Sequence, residues 1–341
     1  MSTAQDDIGY QTFKKGEVML ERYQPSDMKI VVDGSGTERK VEYPITNPPI
    51  DGSGVKRPTI TTYEQGLVWN KQAQEHADSA VGFNQEYAKR IVEPQFGNKI
   101  MVVNLSDIHW GHMDVDYDLC DRLLKLVEET PDTYCTFGWN ILDSAIPSQF
   151  PDGVMWSGQT AQEQVYTFKD KLAKLWKQNK ILSAIGSGSC HEGWLKKRGG
   201  WQVYRELFGE TDIPLLLNGG YLDIQVGQEL YRTAHFHKLK YWSSLNKTHG
   251  GLRALDRIAD AEIVFTSHYH YAATGQSTMY NSPRIKDVAV IASGTCKTKD
   301  KWARDNFGTD GEKGGQAIIL WSDKHAFQTI FDLEIGAELM K

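Results

Sequence analysis

Asp107 and His109 stand two residues apart, one residue beyond the mainly apolar run Met101-Val102-Val103-Asn104-Leu105. Both are metal-ligand types, and residues at i and i+2 of an extended chain point the same way. The pair is therefore placed to hold one cation at the carboxyl end of a strand. Alone, the triplet carries little weight, because solvated polar residues commonly end a strand. Four further segments repeat the arrangement of an apolar run followed by ligand types. They are Phe137-Gly138-Trp139-Asn140-Ile141-Leu142-Asp143, Ile185-Gly186-Ser187-Gly188-Ser189-Cys190-His191-Glu192-Gly193, Thr233-Ala234-His235-Phe236-His237 and Thr266-Ser267-His268-Tyr269-His270. Of the 10 histidines, His109, His191, His235, His237, His268 and His270 all fall at these ends, so one shared site is the better reading.

Positioning those ends requires strands with helices between them. Short β-rich runs alternate with amphipathic stretches beyond residue 99, the pattern of a layered α/β domain. Strands are predicted over Ile100 to Leu105, Thr133 to Phe137, Lys180 to Ile185, Leu230 to Ala234, Glu262 to Thr266, Asp287 to Ala292, Gln316 to Trp321 and Ala326 to Phe331. One helix runs from Asp116 to Glu129 with Leu119, Leu123, Leu126 and Val127 on one face. Another opens at the capping box Thr160-Ala161-Gln162-Glu163 and carries Val165, Phe168, Leu172, Leu175 and Trp176. Residues 1–98 read as an extension in which Pro, Gly and polar residues break every apolar run, and residues 99–341 read as the main domain. Within the extension, Thr62 to Val92 is the one helical stretch, read as packed on the main domain in preference to a recruiting module.

The chain has 341 residues, with 44 acidic against 38 basic and a formal charge of −6. Such a balance provides no global basic field for nucleic acid. No apolar run approaches the roughly 20 residues that span a bilayer, and Met1 to Tyr10 is unlike a signal peptide. The 4 cysteines form no closely spaced pair, which suits a reducing compartment. A cytoplasmic location, the host cytoplasm if the protein is viral, is the expectation.

Taken together, the five segments resemble the calcineurin-like metallophosphoesterases. The ordered pattern of that family is Asp-x-His, Gly-Asp-x-x-Asp, Gly-Asn-His-Asp/Glu, a lone His and Gly-His-x-His. The resemblance spans about Ile100 to Gly275 and is similar to the phage-borne branch of the family. It implies an α/β fold of two facing mixed β-sheets flanked by helices in four layers. It also implies a two-metal site in which Asp107, His109 and His270 hold one ion, Cys190, His235 and His268 hold the second, and Asn140 lies between them. Two divalent ions (Mn, Zn or Fe) roughly 3.5–4 Å apart would clamp a phosphoryl group and activate water. On the same resemblance, His191 stands beside the leaving oxygen with Glu192 orienting it, and Asp143 steadies a ligand.

This chain departs from the family pattern twice. Asn140 replaces an Asp, and Cys190 replaces an Asn. An amide is a poorer bridge than a carboxylate, whereas a Cys190 thiolate keeps the count of anionic ligands at two, with Asp107. A thiolate with imidazoles favours zinc or iron over magnesium. His235 and His237 face the same side if their strand continues, and His235, nearer the strand end, is preferred as the ligand. The bland reading of Cys190 is a small buried thiol in a degenerate site.

Basic and aromatic residues surround these segments, in Gly193-Trp194-Leu195-Lys196-Lys197-Arg198 and His237-Lys238-Leu239-Lys240-Tyr241-Trp242. Trp194, His237 and Lys238 are candidates for gripping a phosphodiester, DNA or RNA among them, although surface loops explain them equally well. Two functions follow: a metal-dependent phosphoesterase acting on a diester, or a binding or scaffold protein that keeps the fold without the chemistry. No membrane partner is expected, and any protein partner of the extension is unspecified.

Overall fold

The structure, a computed structural model, describes residues 86–144, 156–186, 191–239, 246–257, 261–280, 285–308 and 310–341. Among the described residues, twelve strands form two mixed six-stranded sheets flanked by helices. The first sheet has the order β1(Glu86–Val92), β6(Gly220–Val226), β7(Glu229–Phe236), β8(Ile263–Thr266), β10(Lys286–Ala292), β9(Ala273–Met279). The second has the order β12(Phe327–Ile330), β11(Gln316–Trp321), β2(Lys99–Leu105), β3(Thr133–Phe137), β4(Ile181–Ile185), β5(Leu215–Leu216).

The central strand β2 shows why this sequence makes layers. Its alternate residues serve two cores: Ile100 and Val102 enter the layer between the sheets, while Met101, Val103 and Leu105 enter the layer under the helices. A strand buried on both faces reads as a continuous apolar run. The layer between the sheets joins Ile100, Val102 and Ile318 of the second sheet to Leu222, Ile224 and Ile263 of the first. On the outer face of the second sheet lie α1(Tyr117–Glu129), α2(Ala161–Lys177), α3(His191–Gly199) and α4(Val203–Phe208), with Leu123, Phe168, Leu195 and Phe208 packed inward. On the outer face of the first, Leu255 of α5(His249–Arg257) meets Ala234, Val264 and Val290. Two further helices are α6(Lys301–Phe307) and α7(Leu333–Leu339).

Asp116 caps α1 through Leu119 N–H, and Thr160 and Glu163 form the reciprocal capping box at the start of α2. These satisfy donors that an uncapped first turn would leave bare. Each of the eight predicted strands appears within two residues of its expected limits.

The helix expected over Thr62 to Val92 is not what its last seven residues form, and the rest of that stretch lies outside the described residues. Glu86–Val92 is β1, paired in parallel with β6. Its inward positions are Ala88, Arg90 and Val92, and the central one is a cation, which breaks the apolar alternation that marks a strand. Arg90 crosses the layer between the sheets, donating from Nε to the Leu182 carbonyl (2.8 Å) and from Nη2 to the Ile181 carbonyl (3.1 Å). Residues 86–92 thus form the edge strand of the first sheet.

Candidate metal centre

The strands that feed the site run in one direction within each sheet: β2, β3 and β4 are parallel, as are β7, β8 and β10. Their carboxyl ends meet, the place where open α/β sheets present ligand-binding loops. The loops after β2 and β3 are fastened to each other by the main chain. Asp107 N–H donates to Trp139 O (2.8 Å), His109 N–H to Asn140 O (2.9 Å) and Trp110 N–H to Ile141 O (2.8 Å). This fixes Asn140 opposite Asp107 and His109.

The local backbone differs from the extended geometry expected of Asp107 and His109. Strand β2 stops at Leu105, and Asp107, His109, Asn140, His268 and His270 all have positive φ, between 50° and 83°. Turns in the left-handed region, which Asp, Asn and His tolerate better than most residues, aim these side chains inward. An unbroken pleat could not.

One cluster joins both sheets. His109 Nε2 and His270 Nε2 are 3.0 Å apart, and Asp107 Oδ1 is 3.9 Å from His270 Nε2. All three residues are buried. Asp107 Oδ1 also accepts from Asn140 Nδ2 (2.9 Å) and its Oδ2 from the His268 N–H (2.6 Å). Burial pushes the Asp107 carboxyl up to about 6, against the pull of His270 and of the His268 and Asn140 hydrogen bonds. Burial also holds His109 well below its ordinary value, with His191, His270 and Lys297 adding to the effect. Imidazoles beside a carboxylate are the donor set that zinc, manganese and iron accept.

Each of the two imidazoles has a carboxylate behind it. His270 Nδ1 is hydrogen-bonded to Asp300 Oδ2. His109 Nδ1 lies 3.4 Å from Asp143 Oδ1, and among the described residues neither Asp143 oxygen has a hydrogen-bond partner. Burial pushes the Asp143 carboxyl up to about 7, with Lys297 opposing. A buried, unbonded carboxylate beside a ring nitrogen fits a site built for a cation, since carboxylates commonly back metal-bound histidines. His109, Asp143 and His191 form a second close group on this side.

On the other side, Asn140 Nδ2 lies 3.1 Å from His237 Nε2, and the His237 ring meets the His268 ring edge-on at 4.5 Å. Here the structure departs from the preference for His235. Strand β7 ends at Phe236, so His235 and His237 do not share a side. His235 turns into the layer between the sheets, with Nε2 2.8 Å from Thr233 Oγ1 and its ring stacked on Phe265 at 4.8 Å. It is His237 that stands with Asn140 and His268. Burial lowers His268 to about 4 and His237 well below its usual range, with neighbouring positive charge deepening both shifts. Cys190 lies outside the described residues.

His191 opens α3 with Nδ1 against the Asp143 main-chain oxygen, and Asp143 Oδ1 is 3.8 Å from the same nitrogen. Burial lowers it to about 3, against the effect of that hydrogen bond. Glu192, expected to orient His191, does other work. Its Oε2 accepts from Asn140 N–H (3.2 Å) and its Oε1 from Leu142 N–H (3.0 Å), bracing the loop that carries Asn140 and Asp143. Burial raises its carboxyl to about 8 despite these bonds. At the periphery, Trp194 packs its ring 4.6 Å from that of His191, and Lys238 is exposed.

The residues after β10 escaped the sequence reading. Thr295 Oγ1 donates to Asp107 O (2.5 Å), Cys296 N–H donates to the same oxygen (3.3 Å), and Asp300 reaches His270. Burial pushes the Asp300 carboxyl up, but the His270 hydrogen bond and charge, together with Lys297, outweigh it and bring it down to about 2. Lys297-Thr298-Lys299-Asp300 reads as a charged surface stretch. The available signal was its position, directly after an apolar strand like every other ligand-bearing segment.

No family model and no curated protein matches the chain. Several solved structures are similar to it at low identity. Vacuolar protein sorting 29 from Cryptosporidium parvum is 12% identical, covering 69% of this chain and 100% of its own, with a TM-score of 0.37. A zinc complex of Vps29 from Entamoeba histolytica is also 12% identical, covering 68% and 100%, with a TM-score of 0.33. A conserved uncharacterized protein from Streptococcus pneumoniae, titled a predicted phosphoesterase, is 11% identical, covering 68% and 99%, with a TM-score of 0.31.

Proposed function

We propose that the chain is a metal-dependent phosphoesterase that hydrolyses a phosphodiester of a nucleotide or nucleic acid. The observation that carries this reading is the meeting of Asp107, His109 and His270, drawn from both sheets, with the two Nε2 atoms 3.0 Å apart. These three residues would hold one cation; Asn140, His237 and His268, with Cys190, would hold a second. When bound, such ions supply Lewis-acid charge and an acidified water at phosphorus.

The chain's own groups then have separate tasks. Burial keeps the imidazoles of His109 and His268 neutral, with lone pairs available for ligation. His191 carries its proton on Nδ1, because the Asp143 carbonyl it meets can only accept. Its Nε2 is left to exchange a proton with substrate, and the nearby Asp143 carboxylate favours the imidazolium that results. Lys238 supplies positive charge for phosphate oxygens, and Trp194 offers an aromatic face at the His191 side.

The test is turnover of a chromogenic phosphodiester by protein stripped of metal and then given manganese, zinc or iron. Metal-dependent turnover lost in His109→Ala and His191→Ala supports the reading; absence of turnover with every metal from folded protein overturns it. One observation favours the other reading, a scaffold without chemistry. The Asn140 amide donates toward Asp107 and His237, presenting hydrogens where a bridging carboxylate would present lone pairs.

A further inference from the structure

We infer that Asp300 is a positioning residue for the metal centre, fixing His270 so that Nε2 faces the cation; this rests on the reading of Asp107, His109 and His270 as ligands. The contact joins Asp300 Oδ2 to His270 Nδ1. A carboxylate can only accept, so it holds the proton on Nδ1 and leaves the lone pair on Nε2, the atom that faces His109 Nε2 at 3.0 Å. The negative charge also makes the imidazole a stronger donor to a metal. The same carboxylate has Lys297 Nζ 3.7 Å from its Oδ1, which keeps a charged group tolerable in this buried place.

The segment bearing Asp300 is tied to the centre at two other points. Thr295 and Cys296 hold the Asp107 carbonyl, and the Glu312 N–H donates to the His270 carbonyl (2.8 Å). The ligands from β2 and β8 are thereby set against one frame that follows β10. A purely structural role is the competing explanation, because Asp300 precedes α6 and Arg304 N–H donates to its carbonyl (3.0 Å). Asparagine separates the two, since it begins a helix as well as aspartate and still accepts a hydrogen bond from Nδ1, but carries no charge.

The experiment measures zinc affinity of the full-length protein and of Asp300→Asn and Asp300→Ala by competition with a chromophoric chelator, together with melting curves in EDTA. The expected result is a fall in zinc affinity of about 10-fold for Asp300→Asn and up to about 100-fold for Asp300→Ala, with the Asn variant melting in EDTA like the parent. Unchanged affinity in Asp300→Asn overturns the inference while leaving the metal centre in place. A loss of affinity matched by a loss of stability in EDTA also overturns it. A parent that binds no zinc overturns both the inference and the reading beneath it.

Discussion

His109 and His270 are 161 residues apart in sequence, and their Nε2 atoms lie 3.0 Å from one another. Two imidazole nitrogens hold that geometry by sharing a proton or by facing a common ion. In the second case, metal binds the folded state alone and must stabilise it. At a hundredfold excess over Kd the gain is about 2.7 kcal/mol, or roughly 5–10 °C in melting temperature. Thermal melts with and without zinc should show this rise in the parent protein, and His270→Ala should abolish it.

Asn140 sits 2.9 Å from Asp107 Oδ1 as a donor. Replacing it with aspartate sets two buried carboxylates against each other and removes the hydrogen bond. Metal-free Asn140→Asp should therefore lose about 2 kcal/mol. Added divalent ion should restore more stability to the variant than to the parent, because the cation now meets another negative charge. Calorimetry of both proteins with and without manganese checks the pair of signs.

His235 is held neutral down to about pH 3 by burial. The unfolded chain takes up its proton near pH 6.5, so between these values the unfolded state binds more protons and stability falls as pH falls. The contribution is complete above pH 6.5 and is lost toward pH 3, at about 1.4 kcal/mol per pH unit. Denaturant unfolding from pH 7 to pH 4 should show a shallower acid loss in His235→Gln than in the parent. Parallel curves would mean that His235 is protonated in the native protein.

Arg90 gives two hydrogen bonds to the carbonyls of Ile181 and Leu182 across the sheets. Its replacement by methionine keeps the apolar stem but leaves both carbonyls short of a donor. A cost of roughly 2–4 kcal/mol is expected. Urea titration measures it, and protease sensitivity near Glu86–Val92 should increase first.

Much of the layered fold is legible in the sequence because β2, β4, β10 and β11 are largely buried on both faces and read as mainly apolar runs. The edge strands are not. Strand β9 is Ala273-Thr274-Gly275-Gln276-Ser277-Thr278-Met279, mostly polar and half exposed, and its pairing with β10 depends on tertiary context. Strand β6 hides behind Gly220 and the buried Asp223, whose charge is met by Arg232 at 2.7 Å. At the site, residue type and place after a strand pointed to Asp107, His109, Asn140, His268 and His270. The choice between His235 and His237 turned on where β7 stops, and periodicity does not resolve a boundary to one residue. Asp300 was hidden because a charged loop looks the same whether it faces water or a buried imidazole.

The positive φ values at Asp107, His109, Asn140, His268 and His270 set stability and activity against each other. Each left-handed residue costs about 1 kcal/mol relative to glycine. Together that is of the same order as the whole stability of an ordinary domain. Glycine would relax every one of these turns and would also delete the side chain that the turn exists to aim. The most comfortable backbone for this chain is thus a chemically silent one, and selection for robustness alone would be expected to erode the cluster.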